Sequence, residues 1–168
     1  PCKHLSNKFY CGDFNDFNTV YNFGKDCDLI TFEIEHINVD ALESLEKIGK
    51  VVYPKPKTLR IVQDKNLQKS FFKKNKIPTS NFKYFKSLDD LKKSIEDNEI
   101  KFPCVWKKTK FGYDGFGVKI LNSISDINNL PNYQMIIEDY IPFEKELSVI
   151  VARNAKGNIK CYRTVEME

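Results

Sequence analysis

The stretch Phe102-Pro-Cys-Val-Trp-Lys-Lys-Thr-Lys-Phe-Gly-Tyr-Asp-Gly-Phe-Gly117 joins a strand-like apolar run to a glycine-rich loop. Lys107 lies where the predicted strand, residues 102–107, ends, and glycines follow at positions 112, 115 and 117. Glycines let a backbone approach an anion closely and point several amide groups at it, while a lysine ammonium adds a point charge. The pattern favours phosphate binding by Lys107 and the loop.

A glycine-rich turn between two strands is also typical of an ordinary hairpin, and the residues alone leave this alternative open. The loop lacks the Gly-Lys-Ser/Thr of a Walker loop. A dinucleotide-binding fingerprint would open a helix, whereas this loop leads into a predicted strand at 118–121. Both of those nucleotide-binding classes are therefore excluded, and a loop that covers phosphates remains.

Acidic residues follow at the ends of the next strands. The predicted strand 134–138 ends in Glu138 and Asp139, and Glu146 opens a further strand. A carboxylate at a strand end accepts hydrogen bonds from a ribose diol, and the backbone beside it can recognise an adenine edge. A solvated acidic turn is the simpler alternative for Glu146. The lysine, the glycine loop and the acidic strand ends, taken in this order, favour a nucleotide site.

Upstream, the chain predicts a parallel α/β unit. The strand 28–35 is apolar and β-prone, a helix with leucines at helical spacing covers 39–49, and a second strand covers 50–53. Ligands of open α/β sheets bind at the carboxyl ends of strands, which is where Glu33 and Glu35 lie. Either carboxylate could instead cap the following turn or pair with a lysine.

Pro54-Lys-Pro56 marks a candidate domain boundary, because two prolines in three residues interrupt regular structure. We therefore assign residues 1–53 to one domain and 54–168 to another. The second domain is predicted as an α+β module on an antiparallel sheet. Its predicted helices are 58–63, 64–75, 87–97 and 123–129, and its strands are 81–85, 102–107, 118–121, 134–138, 146–153 and 159–164.

Composition argues against several function classes. The 27 basic and 23 acidic residues leave a net charge of +4, which is a weak argument for nucleic acid. Lysines such as Lys65, Lys69 and Lys73 are spread over predicted helix faces, where solvated surface is expected. No window approaches the ~18 apolar residues of a membrane span, and no secretory signal is evident. We expect a cytoplasmic protein that binds neither membrane nor nucleic acid.

The five cysteines are odd in number and form no Cys-x-x-Cys pair, which disfavours a disulfide scaffold or a zinc site. The chain opens with Pro1 and stops at Glu168, directly after an extended stretch. We expect it to be a partial sequence.

The order of these features resembles the ATP-grasp fold. Within that superfamily, four segments are similar to the 5-(carboxyamino)imidazole ribonucleotide synthase family. They are Thr-Phe-Glu-Ile-Glu-His36, residues 54–69 with their Leu-Arg-Ile-Val-Gln-Asp-Lys-Asn-Leu-Gln-Lys core, Gly112-Tyr-Asp-Gly115 and Ser148-Val-Ile-Val-Ala-Arg153. The resemblance implies the end of a Rossmann-like preATP-grasp domain, followed by the small lid subdomain and the start of the large ATP-grasp subdomain.

The resemblance also implies a set of sites. The ATP-binding residues would be Lys65 and Lys107 on the phosphates, Gly112, Tyr113, Asp114, Gly115 and Gly117 in the lid, Glu138, Asp139, Tyr140 and Ile141 along the adenine, and Glu146 on the ribose. The substrate-binding residues would be Glu33, Tyr113 and Asp114. Metal ligands would lie outside this chain.

The family reaction implied is ATP-dependent carboxylation of aminoimidazole ribonucleotide with bicarbonate in purine biosynthesis. ATP and Mg²⁺ would be required, and the full-length protein would be a homodimer. A formate-dependent glycinamide ribonucleotide transformylase, a biotin-carboxylase-like protein and a non-catalytic nucleotide-binding module are the alternatives. We expect the 168 residues alone to bind nucleotide poorly and to catalyse nothing.

Two positions depart from the family pattern. Phe116 stands where the family has a basic residue, and Val118 stands where a glutamine follows the last glycine. Loss of a cation beside developing negative charge would weaken substrate handling.

Overall fold

The computed structural model describes residues 3–112 and 117–167. The helices are α1 (Phe17–Gly24), α2 (Val39–Lys47), α3 (Pro56–Val62), α4 (Lys65–Lys74) and α5 (Leu88–Glu96), with 3-10 helices at Lys3–Leu5 and Ile124–Asn129. The strands are β1 (Leu29–Thr31), β2 (Val51–Tyr53), β3 (Phe82–Phe85), β4 (Cys104–Lys108), β5 (Val118–Leu121), β6 (Met135–Asp139), β7 (Glu146–Ser148), β8 (Val151–Arg153), β9 (Ile159–Cys161) and β10 (Val165–Met167).

The N-terminal part is the predicted parallel α/β unit. Strands β1 and β2 pair in parallel, with Ile30 opposite Val52, and α2 connects them. The prediction is confirmed, although β1 is shorter than the predicted strand and ends before Glu33 and Glu35. Both carboxylates therefore lie in the segment after the strand.

Local capping explains the limits of α2. The Asn38 side chain accepts a hydrogen bond at the N-terminus, as Asn does at this position. After the helix, Gly49 has a φ of +86°, its N–H donates to Glu46, and the N–H of Lys50 donates to Leu45. This is a Schellman motif, which requires the left-handed conformation that glycine adopts without strain.

A first apolar cluster fixes this unit. It joins α1, α2 and the two strands, and it also includes a residue of α3. Its buried members are Val20, Ile30, Val39, Ala41, Leu42, Leu45, Val52 and Leu59. Leu59 lies beyond the predicted boundary at 53 and 54, so α3 packs on the N-terminal unit. The boundary itself stays a prediction.

The second part is built on the antiparallel sheet β3-β6-β4-β5. Val105 lies opposite Glu138 on β6 and opposite Ile120 on β5. Phe82 lies opposite Glu138 on the other side of β6. The predicted α+β module is confirmed, and its central strands are β6 and β4.

One face of this sheet packs against α5. Leu91 and Ile95 face inward as predicted, and the Ser87 side chain caps the helix by accepting from Asp90 N–H. The buried members of this second cluster are Phe85, Leu91, Ile95, Cys104, Trp106, Leu121, Ile127, Leu130, Met135 and Ile137. Burial of this apolar surface is the main stabilising contribution to the module.

Four local predictions differ from the structure. The predicted strand 146–153 is two strands, β7 and β8, which pair with β10 and β9 respectively. β10 was not predicted, and the segment 124–129 is a 3-10 helix. α3 begins at Pro56, because proline is tolerated in the first helical turn.

In the described part of the chain, no helix combines the length and apolarity needed to cross a membrane.

Candidate nucleotide-binding site

The face of the four-stranded sheet opposite α5 carries polar groups. Side chains alternate along a strand, so Lys107 and Val105 point away from the cluster that holds Trp106. By the register, Glu138 lies on the same face as Val105. Helix α4 contacts β6 and contributes Lys69.

Three side chains approach one carboxylate oxygen of Glu138, and we call these four residues together the Glu138 hub. Glu138 Oε2 accepts a hydrogen bond from Ser80 Oγ at 2.9 Å and from Lys107 Nζ at 3.1 Å. Lys69 Nζ donates to Ser80 Oγ at 2.7 Å and lies 3.4 Å from the same carboxylate oxygen. The hub brings the predicted site residues Lys107 and Glu138 together.

The hub carries two ammonium groups and one carboxylate. Lys69 and Glu138 each expose only 7% of their surface, while Lys107 remains partly exposed. Burial lowers the pKa of Lys69, and the Glu138 carboxylate opposes that shift by stabilising the charged form. With all three groups ionised, the net charge is positive and the accessible cation is Lys107, which suits an anionic ligand.

Two members of the hub, Lys69 and Ser80, were not predicted as site residues. Lys69 was expected on a solvated helix face, and this expectation is wrong because the side chain reaches back over β6 to Glu138. Its position one helical turn after Lys65 was the available signal. Ser80 carried no sequence signal, because it contacts Glu138 across 58 residues of chain.

Lys65 is placed by its backbone. The N–H of Lys65 donates to Thr109 O at 2.8 Å. Thr109 is buried, and its N–H and Oγ1 both donate to Gln134 O, at 3.1 and 3.2 Å. The start of α4 is thereby held to the residue that follows β4, which places Lys65 near the base of the glycine-rich loop.

The described ends of that loop approach each other closely. Lys108 N–H donates to Gly117 O at 2.8 Å, and Gly117 has a φ of +78°. A Cβ at Gly117 would lie 3.2 Å from Lys108 Cβ and 3.5 Å from Gly112 Cα, so both conformation and space favour glycine. Tyr113, Asp114, Gly115 and Phe116 lie outside the described residues.

The predicted adenine segment continues from β6. Asp139 accepts a hydrogen bond from Asn81 Nδ2 at 2.8 Å, and its N–H donates to Asn81 O at 3.1 Å. Tyr140 and Ile141 are exposed. A cleft of about 660 Å³ lies beside this edge and is bounded by Ser80, Glu138 and Asp139, among other residues. Lys107 does not line the cleft, but its ammonium group is hydrogen-bonded to Glu138, which does. The contacts of the hub therefore define the candidate site better than the cleft does.

Two predicted site residues lie apart from the hub. Glu33 is exposed in the segment after β1, and Glu146 is exposed at the start of β7. Within residues 3–112 and 117–167, no hydrogen bond or ion pair joins either carboxylate to the hub. Their assigned roles stay predictions.

The described residues form no cluster of three or more metal-binding side chains. Outside the gaps at 1–2, 113–116 and 168, no three or more His, Cys, Asp or Glu side chains are grouped as metal ligands. We therefore assign no step to Mg²⁺ within this chain, and the expectation that its ligands lie elsewhere stays a prediction.

Comparison with known families covers both parts of the chain. The ATP-grasp domain family matches residues 70–168, and the ribonucleotide synthetase preATP-grasp domain matches residues 1–63. The two matches agree with the predicted order of a Rossmann-like unit followed by an ATP-grasp module. The predicted fold class is confirmed.

Known relatives are similar to nearly the whole chain. The chloroplastic phosphoribosylaminoimidazole carboxylase of Vigna aconitifolia is 37% identical over 99% of this chain and 30% of its own length. N5-carboxyaminoimidazole ribonucleotide synthetase from Thermotoga maritima has a TM-score of 0.85 and 36% identity, covering 99% of this chain and 44% of that structure.

A third relative was solved with ligands. N5-carboxyaminoimidazole synthase from Aspergillus clavatus, in complex with ADP and 5-aminoimidazole ribonucleotide, has a TM-score of 0.82 and 28% identity, covering 98% of this chain and 43% of that structure. The chain thus spans less than half the length of each of these three relatives. The similarity to the synthases that the motifs predicted is confirmed. Since the ATP-grasp domain family matches more than half of its residues, the chain belongs to the ATP-grasp family.

Proposed function

We propose that a full-length protein containing this chain carboxylates 5-aminoimidazole ribonucleotide with bicarbonate, using ATP, in purine biosynthesis. The observation that carries the proposal is the Glu138 hub, which presents Lys107 beside the glycine-rich loop of an ATP-grasp module. The names of the relatives support the substrate, and the Aspergillus clavatus structure supports binding of ADP and the ribonucleotide at one protein.

The roles of individual residues belong to the same proposal. Lys65 and Lys107 bind ATP phosphates, because one starts α4 beside Thr109 and the other is the accessible cation of the hub. The backbone of 138–141 recognises the adenine, and Glu146 accepts from the ribose. Glu33 binds the ribonucleotide. The loop residues Gly112, Tyr113, Asp114, Gly115 and Gly117 cover the phosphates, with Tyr113 and Asp114 also meeting the ribonucleotide.

The proposed reaction has two transfers. A bicarbonate oxygen attacks the γ-phosphorus of ATP, the bond to the bridging oxygen breaks, and ADP leaves with that oxygen. The exocyclic amine of the ribonucleotide then attacks the carboxyl carbon of the resulting carboxyphosphate, loses a proton, and releases phosphate. Such chemistry depends on positioning and on charge stabilisation, which Lys65 and Lys107 supply.

The test is ADP release by the full-length protein with ATP and Mg²⁺ present. Bicarbonate and aminoimidazole ribonucleotide are added separately and together. We expect release that depends strongly on the ribonucleotide, which would also show that Phe116 and Val118 are tolerated. A folded protein that binds ATP but shows no stimulation by the ribonucleotide would contradict the proposal.

The same assay separates the alternatives. Formate with glycinamide ribonucleotide replaces the two substrates in a parallel series, and a transformylase would respond to that pair only. A protein that binds ATP and responds to neither pair would be a biotin-carboxylase-like protein or a non-catalytic nucleotide-binding module.

We also propose a cytoplasmic location, a homodimer and a domain boundary at residues 53 and 54. The name of the Vigna aconitifolia relative includes a chloroplast location, so cell fractionation is the deciding measurement for location. Light scattering after gel filtration measures the mass of the full-length protein in solution. Limited proteolysis with cleavage near Pro54 would support the boundary.

A further inference from the structure

Gln63 connects the two halves of the proposed site. It follows α3, and its Nε2 donates to Glu35 O at 2.6 Å and to Ile37 O at 2.8 Å. A side-chain amide nitrogen has two protons, so these two bonds use both of them. The side chain therefore fixes two alternate carbonyls of one backbone segment.

That segment lies beyond the parallel ladder. Pairing between β1 and β2 ends at Thr31 and Tyr53, so residues 32–37 follow the last paired residue of β1. The segment contains Glu33, the carboxylate assigned to the ribonucleotide. Because the two carbonyls flank His36, the amide of Gln63 determines the course of the backbone after the strand.

The residues after Gln63 belong to the nucleotide side. Asp64 caps α4 by accepting from Asn66 N–H at 2.9 Å and from Leu67 N–H at 3.2 Å. The N–H of Lys65 donates to Thr109 O at 2.8 Å. Three consecutive residues thus contact three elements in turn. Gln63 contacts the segment after β1, Asp64 the start of α4, and Lys65 the residue that follows β4.

A cavity of about 450 Å³ lies at this junction. Its lining includes His36 and Ile37 from the segment after β1, Gln63 itself, and Lys110 and Phe111 from the start of the glycine-rich loop. The ring centroids of His36 and Phe111 are 6.4 Å apart. The segment that Gln63 holds therefore faces the residues that lead into the loop.

We propose that Gln63 is a positioning residue, which sets the ribonucleotide-binding segment 33–37 relative to the ATP-binding lysines of α4 and β4. This inference rests on the proposed function for the ligands involved, whereas the positioning itself does not depend on them. Gln63 touches neither reacting atom in this assignment and acts through the backbone of Glu35 and Ile37.

The principal variant is Gln63→Leu in the full-length protein, which keeps a similar side-chain size and removes both donors. We expect the KM for the ribonucleotide to rise about tenfold, since two hydrogen bonds that order its binding segment are lost. The KM for ATP should change less than about twofold, since Lys65 keeps its own backbone bond to Thr109. Equal increases in both KM values, or no change in either, would overturn the proposal.

Gln63→Glu adds a pH readout. An ionised carboxylate would place acceptors against two carbonyl oxygens, whereas the protonated form regains one donor. The ratio of variant to wild-type kcat/KM for the ribonucleotide should therefore rise as the pH is lowered. A ratio that does not change with pH would count against positioning through these hydrogen bonds.

The matched control is Asn75→Leu at the other end of α4. Asn75 Nδ2 also donates to a backbone carbonyl, that of Phe71, at 2.8 Å. We expect both KM values of this variant to match those of the wild type, and a change as large as that of Gln63→Leu would show a general effect of lost amide bonds.

Hydrogen exchange separates this inference from the proposed function. In Gln63→Leu, amides of residues 33–38 should exchange faster than in the wild type, while those of β4 and β6 should not. Unchanged exchange at 33–38 would overturn the inference even if the enzyme carboxylates the ribonucleotide. Faster exchange at 33–38 in a protein that does not respond to the ribonucleotide would support the inference and reject the substrate.

Discussion

The two faces of the β3-β6-β4-β5 sheet differ in what their side chains do. One face is apolar and covered by α5, with Leu91, Trp106 and Ile137 buried among other apolar side chains. The other face carries Lys107 and Glu138 and is approached by the Lys69 side chain. Adjacent residues of one strand thus supply core packing on one side and the proposed ligand contacts on the other.

A second contrast lies between two glutamates with the same kinds of partner. Glu138 accepts from a serine, Ser80, and from a lysine, Lys107. Glu99 also accepts from a serine, Ser94, at 2.6 Å and from a lysine at 2.8 Å, but it is exposed at the edge of the module. The same kinds of donor surround a buried carboxylate at Glu138, where we propose a binding role, and an exposed one at Glu99, where water competes for the carboxylate.

The largest effect on stability is expected from the apolar face. Leu91→Ala removes a completely buried side chain from the cluster beneath the sheet and should lower the free energy of unfolding by about 3 kcal/mol. Urea unfolding of the full-length protein, followed by intrinsic fluorescence, measures this change. Leu67→Ala on the exposed side of α4 is the control and should cost much less. Equal costs for the two variants would show that the α5 face is not the principal core.

On the polar face the effect should appear in activity. Lys107→Met removes the accessible cation of the hub and should lower kcat/KM for ATP about 100-fold, or about 2.7 kcal/mol, with little change in the urea midpoint. ADP release under the conditions given above measures it. Lys83→Met alters a lysine of the same sheet that pairs with Glu99 instead, and its kcat/KM should stay within about twofold of the wild type. A similar loss in both variants would remove the distinction between the faces.

The smallest expected effect is a pH-dependent difference in Tm when Glu99 is replaced. Hydrogen bonds from Lys83 and Ser94 lower the pKa of Glu99 below its ordinary value of 4.5. Because the folded-state pKa is the lower one, the stabilisation is complete above pH 4.5 and is lost as the pH falls through the folded value. The Tm of Glu99→Gln should therefore lie slightly below that of the wild type at neutral pH and converge with it in acid.

Glu96→Gln serves as the control for this pH dependence. Glu96 is exposed near the end of α5 and forms no ion pair with any residue that the structure describes. Its Tm difference from the wild type should be small at every pH. A difference for Glu99→Gln that persists in acid would show that the effect does not come from the ionised carboxylate.

Much of the fold was predictable because its signals are local. The apolar runs of β4 and β6, the leucine spacing of α2 and α5, and caps such as Ser87 each act within a few residues. The break between β7 and β8 was missed because 146–153 is one continuous β-prone run, and its interruption at 149–150 has no Gly or Pro to mark it.

The candidate site was predictable only in part. Lys107 and Glu138 stand at strand ends, a location that sequence patterns indicate. Lys69 was missed because a lysine on a helix is solvated in most proteins, and its burial depends on a carboxylate 69 residues later in the chain. The contacts of Gln63 likewise span 26 and 28 residues, which no local pattern reports.

The shared oxygen of Glu138 also limits how this site can change by mutation. Ser80, Lys69 and Lys107 all approach the same Oε2. A change of Glu138 alone would leave two neighbouring ammonium groups without their common counter-charge, and it would cost less in a chain that already lacks Lys69. Substitutions in the hub are therefore non-additive, and an evolutionary route that replaces Glu138 passes through paired replacements, not a single one.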